Sequence, residues 1–190
     1  MALRKHNVND EGSYVGLAEP LSATDHVLGP PHAPVVIVEY GDFECPTCKR
    51  AEPAVEMLLR RFANQVCFAF RHFPIESAHP HALDAAQAAE CAGAQGKFWE
   101  MHRLLLEHQT HLDRAHLRAY ALQLDLDLPR FVSELDDEVY LQRVREHIDS
   151  GKRSGVKSTP GFFINGRIQD VSFGMHQILD ATEAALHGHK

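Results

Sequence analysis

Two cysteines, Cys45 and Cys48, stand three positions apart at the seam between two unlike stretches of chain. Ahead of them runs Val35-Val36-Ile37-Val38-Glu39-Tyr40, which is short, continuous and rich in β-branched residues. That composition suits a strand buried on both faces of a parallel-type sheet. Behind them a helical pattern runs from Ala51 to Phe62. A cysteine at a strand-to-helix turn holds its sulfur against unpaired N–H groups and the positive end of the helix dipole. Both favour the thiolate, the nucleophilic form. Cys48 follows one turn later on the same face, near enough for a disulfide with Cys45. Pro46 falls in the first turn, where a missing N–H costs nothing. The pattern predicts a redox-active dithiol. Cys45 is expected to be the more exposed, attacking thiol and Cys48 the deeper one that resolves a mixed disulfide.

Around this seam the chain divides into three parts. Residues 1–29 have no sustained periodicity and are expected to form an N-terminal arm, with at most a short helix or strand near Val15 to Leu21. Gly29-Pro30-Pro31-His32-Ala33-Pro34 is a breaker cluster that delivers the chain into the first strand. Pro53 sits inside the helix after the cysteines and should bend it. Val66 to Phe73 is expected to be the second strand. From Pro80 to about Ser150 no β-like run occurs. Five helices are expected there: Ala82 to Ala94, one around Phe98 to Leu105, one capped by Asp113, one opened by Pro129, and one striped by Tyr140, Val144 and Ile148 and ending at Gly151. A block that long exceeds a simple crossover, so residues 79–150 are expected to be an inserted helical subdomain. Residues 30–78 and 151–190 would then form the sheet domain. Gly161 to Ile168 reads as a hairpin turning at Asn165-Gly166, and Gly174 to Leu186 as a closing amphipathic helix. The fold class is α/β.

Composition narrows the functions. The formal net charge of −7 speaks against nucleic acid and anionic membrane surfaces as partners. No apolar run is long enough to span a bilayer, and the polar N-terminus lacks the apolar segment of a secretory signal, so a cytoplasmic location is expected. Four cysteines in 190 residues are too few for a disulfide scaffold. Cys67 and Cys91 are expected to pack as buried free thiols. Structural zinc sites draw on two closely spaced ligand pairs, which Cys67 and Cys91 do not make, so no metal is expected. The histidines of His79-Pro80-His81, of His108 with His111, and of the tail His187-Gly188-His189-Lys190 read as surface and core residues of a His-rich chain. Phe98 and Trp99 are expected to bury against the sheet.

Further motifs lie at set distances from the cysteines. They are Glu39 six positions upstream, Pro53, Arg71-His72-Phe73-Pro74, and Gly155-Val156 followed by Thr159-Pro160-Gly161-Phe162-Phe163-Ile164-Asn165-Gly166. With the helical block, these make the chain resemble the DsbA-like branch of the thioredoxin superfamily from about Val27 to Leu186. The resemblance implies a thioredoxin fold with a helical insertion between the second and third core strands. It also implies a cis peptide at Thr159-Pro160, lying against the cysteine pair, and Thr159, Pro160, Pro46 and Thr47 are expected to form the substrate-binding site.

Thr159, held extended before the proline, could pair its backbone with a substrate strand. Members of the superfamily tend to keep a buried acid at the Glu39 position, which reads here as a proton acceptor for Cys48. Arg71 in the neighbouring strand is the expected ion-pair partner of Glu39. Thr47 stands where DsbA proper carries a histidine. It lends no positive charge to Cys45, so the couple should be less oxidising than that of DsbA.

The expected activity is thiol–disulfide exchange with protein or peptide substrates through Cys45 and Cys48, without a bound cofactor. Redox equivalents would come from glutathione or a protein partner, and a reducing cytosol tilts the role towards reductase or redox repair. Two alternatives remain on the same fold. One is a glutathione-dependent transferase or isomerase, against which the second cysteine counts; the other is a non-catalytic redox-sensing module.

Overall fold

The structure, a computed structural model, describes residues 16–171, 174 and 176–188. Five strands form one sheet: β1 (His26–Leu28), β2 (Val35–Gly41), β3 (Val66–His72), β4 (Gly161–Ile164) and β5 (Arg167–Gln169), in the order β1-β3-β2-β4-β5. β2 and β3 run parallel in register from Val35 opposite Val66 to Gly41 opposite His72, while the other pairs are antiparallel. The parallel pair is central and almost wholly buried, as its mainly apolar runs require.

α1 (Pro46–Arg61) crosses from β2 to β3, with Pro46 in its first turn and Pro53 in its interior. Its buried residues Cys48, Ala51, Val55 and Leu58 recur at three- and four-residue steps, the stripe that faces a core. The helical block then follows β3: α2 (Ala82–Gly93), α3 (Phe98–Glu107), α4 (Arg114–Gln123), α5 (Leu128–Asp136) and α6 (Leu141–Arg153). Asp113 caps α4 by accepting from the N–H groups of Ala115 and His116, and Asp127 caps α5 by accepting from Arg130. α6 runs two residues past Gly151, where Ser154 continues its hydrogen bonding. α7 (His176–His187) closes the described chain. Asn165 and Gly166 both take positive φ (47° and 79°), the turn their dipeptide favours between β4 and β5. The insertion thus lies between the two central strands and the hairpin. One buried apolar cluster reaches from Ile37, Phe68 and Phe70 through α1 into Met101, Leu105, Leu117 and Phe131.

The arm differs from expectation. From Leu17 to Leu21 there is neither helix nor strand, and Val15 lies outside the described residues. The ordered element is β1, three residues long and too short to announce itself by periodicity. It exists because β3 offers an open edge to His26–Leu28. Upstream, Leu17 N–H donates to Gly166 O (2.8 Å) and Ala18 N–H to Ser154 Oγ (2.9 Å), which tie the arm to the hairpin and to the end of α6.

Candidate active site

The site begins where β2 ends. Gly41 is the last strand residue, and a Cβ there would meet the Phe70 ring at 2.3 Å and Glu39 Oε1 at 3.3 Å. Glycine therefore lets β2 run past Phe70 and present the next residues to the helix start. Cys45 has an extended backbone at the N-cap of α1, and both cysteines are free thiols, 7% and 1% exposed. The first is thus at the surface of the site and the second below it, as the sequence order implied.

The two sulfurs have opposite electrostatics. A hydrogen bond from the Cys48 thiol is the largest influence on Cys45. Thr159 and the N–H groups of Cys48 and Thr47 add to it, and together they outweigh burial and bring the Cys45 pKa down to about 5. Burial, the bond to Cys45 and the Glu39 charge push Cys48 well above its ordinary value. The pair therefore holds one thiolate and one thiol, sharing a proton towards Cys48. Asp42 N–H points at Cys48 Sγ (3.4 Å). Gln109, in the turn after α3, donates through Nε2 to both Phe43 O and Cys45 O (2.8 Å each), and Lys49 Nζ bonds Glu107 O (2.8 Å). The helical block thus clamps the loop that carries Cys45.

Thr159-Pro160 is a cis peptide, as the resemblance implied. Cys45 Sγ lies 3.3 Å from Thr159 O. The Thr159 N–H has no backbone partner among the described residues.

Beneath Cys48, Glu39 is 3% exposed. Burial first, and then the charges of Glu52 and Cys45, push its pKa well up. Arg71 is not its partner, contrary to expectation. Successive strand residues face opposite sides, and the register sets Glu39 beside Phe70 but Tyr40 beside Arg71. Arg71 points away from the cysteines, where it binds Asp25 through Nε (2.8 Å) and Nη2 (2.9 Å), Glu19 O (2.8 Å), Pro20 O (2.9 Å) and Tyr40 Oη (3.1 Å). All five of its donors are used. On the cysteine side stands Glu52 instead, pushed up to about 7 by burial and by Glu56 and Glu107. His102 Nδ1 lies 4.0 Å from Glu52 Oε1. Burial holds His102 down at about 3, so this imidazole stays neutral among Phe43, Phe70 and Trp99.

Sequence reading missed Asp42, Glu52, His79 and Gln109. A helix-period count from Cys48 to Glu52 could have found Glu52. Asp42 stands in the cysteine segment itself, but its role shows only through its partners, and His79 and Gln109 reach the site from separate segments and leave no spacing signal.

Among the described residues, His72, Glu90 and His147 bring ligand-type atoms within 4.8 Å of one another. Glu90 already pairs with His72 Nε2 (2.9 Å), His26 Nε2 (3.0 Å) and Arg143 Nε (2.8 Å). The fixed guanidinium charge there opposes a metal cation. His79 bonds Asp42, His108 stacks on Tyr120, and His111 packs against His116. Cys67 and Cys91 are buried free thiols, and burial pushes Cys91 up to about 12. Phe98 is buried beside Phe70, and Trp99 packs on Phe68. A polar cleft of about 520 Å³, lined by Glu19, Asp25, Arg71, Arg143, His147 and Arg153 among others, contains neither active-site cysteine.

A five-stranded mixed sheet, a dithiol at the N-terminus of α1, a cis proline against it and a helical block after β3 define a thioredoxin-fold protein of the DsbA-like type. Comparison with known families places it further: the family model described as Thioredoxin matches residues 21–183, and the chain belongs to that family. Oxidised BdbD from Bacillus subtilis superposes with a TM-score of 0.82 at 23% identity, covering 92% of this chain and 99% of that one. A thioredoxin-like oxidoreductase from Silicibacter pomeroyi DSS-3 gives 0.77 at 24% identity, covering 87% and 94%. Two curated relatives are named Na(+)/H(+) antiporters. The Salinispora arenicola protein is 50% identical over 164 residues, 86% of this chain and 25% of its own length. The Salinispora tropica protein is 52% identical over 143 residues, 75% and 22%. The chain therefore spans about a quarter of these relatives, and the antiporter name belongs to those longer proteins. No helix among the described residues is long and apolar enough to cross a membrane.

Proposed function

We propose that this protein is a thiol–disulfide oxidoreductase acting on protein or peptide substrates through Cys45 and Cys48. The observation that carries the reading is the opposed ionisation of the two sulfurs at the start of α1, with Cys45 low at about 5 and Cys48 high. In the reducing direction, the Cys45 thiolate attacks a substrate disulfide, forming one S–S bond and releasing one substrate thiolate. Cys48 then loses its proton and attacks Cys45 Sγ, which frees the second substrate thiolate and leaves the Cys45–Cys48 disulfide. Glu39 serves as acceptor for the Cys48 proton, a role supported by its burial and its charge coupling to Cys48. The Thr159 backbone, beside Cys45 and without a backbone partner for its N–H, suits strand-like pairing with an extended peptide. Pro46 and Thr47 are taken to form the floor of that groove.

Glutathione or a protein dithiol would restore the resting state, in the cytoplasm. The test is insulin reduction by wild type, Cys45→Ser and Cys48→Ser. Wild type should turn over, Cys45→Ser should be inactive, and Cys48→Ser should accumulate a mixed disulfide. Equal rates for all three would overturn the reading.

A further inference from the structure

One buried carboxylate organises the loop that carries both cysteines, and it carries an imidazole with it. Asp42 O accepts from Cys45 N–H (3.1 Å), and Asp42 N–H points at Cys48 Sγ (3.4 Å). Its Oδ1 accepts from Glu44 N–H (2.8 Å), and its Oδ2 accepts from Ile75 N–H (2.8 Å) and bonds His79 Nδ1 (2.7 Å). The Asp42 side chain is fully buried, whereas that of His79 is 20% exposed. A carboxylate with no donor of its own fixes the Nδ1–H tautomer of His79 and leaves Nε2 to take up the second proton. The charged groups that face His79 are Asp42, Cys45 and Glu44, and all three are anionic when ionised. Burial opposes the imidazolium, but these partners outweigh it and raise the pKa of His79.

We propose that His79, oriented by Asp42, is a titratable charge partner of the Cys45 thiolate that makes the redox poise of the Cys45–Cys48 couple depend on pH. This rests on the exchange reading above. The residue between the cysteines, Thr47, supplies no charge, so a cation from the loop after β3 stands in that role. With His79 protonated, the Asp42–His79 pair is neutral overall and the thiolate sees no net charge from it. With His79 neutral, the buried Asp42 anion is uncompensated. Reduction of the disulfide by a substrate dithiol transfers two electrons and two protons. One proton goes to Cys48. The Cys45 sulfur remains a thiolate, and the second proton is taken up by His79 when its imidazole is free, or released to water when it is already charged. His79 is thus a positioning residue for charge, not one that touches the substrate.

The experiment measures the equilibrium with a glutathione buffer, and the Cys45 titration by thiolate absorbance, at pH 6 and pH 9. The proteins are wild type, His79→Ala and His79→Lys, with thermal unfolding run on each as a folding control. At pH 6, His79→Ala should shift the equilibrium towards the disulfide by about two- to fivefold, as expected when the Asp42 charge loses its counter-charge. At pH 9, where the wild-type imidazole is neutral, that difference should vanish. His79→Lys keeps its charge, so at pH 9 it should differ from His79→Ala as wild type differs from His79→Ala at pH 6. A gap between wild type and His79→Ala that is the same at both pH values, or absent at both, overturns the proposal. Failure of the wild type to exchange with glutathione at either pH would instead overturn the exchange reading itself.

Discussion

The pH dependence of Cys45 alkylation is the most direct consequence of the site. The reagent is iodoacetamide, and the adduct is located by mass spectrometry. With a pKa of about 5, Cys45 is about 99% thiolate at pH 7 and half thiolate at pH 5, whereas an ordinary thiol near 9 is about 1% at pH 7. That is a gain of roughly 100-fold in thiolate at pH 7 and roughly 5,000-fold at pH 5. A weaker base is also a weaker nucleophile. At a Brønsted slope of about 0.4–0.5, four pKa units cost roughly 40- to 100-fold. The two effects nearly cancel at pH 7 and leave an advantage of about 100-fold at pH 5.

The rate should therefore be flat from pH 6 to pH 8 and fall about tenfold per unit well below pH 5. Cys48→Ala removes the largest influence on Cys45, and it should move the midpoint up by about one unit or more. A rate that climbs tenfold per unit between pH 6 and pH 8 would refute the depressed pKa. An unmoved midpoint in Cys48→Ala would refute its assignment to the Cys48 hydrogen bond.

Glu39→Gln should slow the decay of a Cys45 mixed disulfide by about 10²-fold at pH 7. The same change should raise the melting temperature, because a buried acid with an elevated pKa costs stability at every pH above its unfolded value; faster decay or a lower melting temperature would contradict the assignment. The Asp25–Arg71 pair is 3% and 4% exposed, so Asp25→Asn strands a buried cation and should cost about 3–5 kcal/mol. That corresponds to a fall of about 10 °C in melting temperature, with partial recovery in Asp25→Asn/Arg71→Met. The bond and charge of Arg71 lower the pKa of Asp25 despite its burial. This stability is therefore present above the ordinary value of 3.8 and should be lost as pH falls through the lower folded value, a loss absent from the double variant. The reduction potential should fall between about −120 mV and about −270 mV, because the Cys45 pKa of about 5 lies between those of DsbA and thioredoxin. A value outside that interval would break the link drawn from ionisation to potential.

Much of this site was legible one residue at a time because it is local. Cys45, Pro46 and Cys48 sit on one helical turn, and a helix start gives its first residue the same surroundings wherever it occurs. The strands β2 and β3 and the hairpin at Asn165-Gly166 were visible for a similar reason: short, mainly apolar runs and an Asn-Gly dipeptide act within a few residues. The Arg71 assignment failed because it needed the facing of two strands relative to each other. A strand alternates sides at every step, so Tyr40 opposite Arg71 in the register sends that arginine to the wrong face for Glu39. β1 failed for want of length: three residues show no period, and the strand exists only because β3 has an edge to fill.

The amino-acid sequence alone determined that a dithiol would stand at a strand-to-helix turn, with Cys45 outermost and Cys48 behind it. Those properties follow from bonds and dipoles spanning a single turn. Tertiary structure alone decided what surrounds the pair. Asp42 meets His79 across 37 positions, and Gln109 reaches Cys45 across 64. Contacts at such separations are set by how the sheet and the helical block pack together, and no local pattern of residues encodes that arrangement.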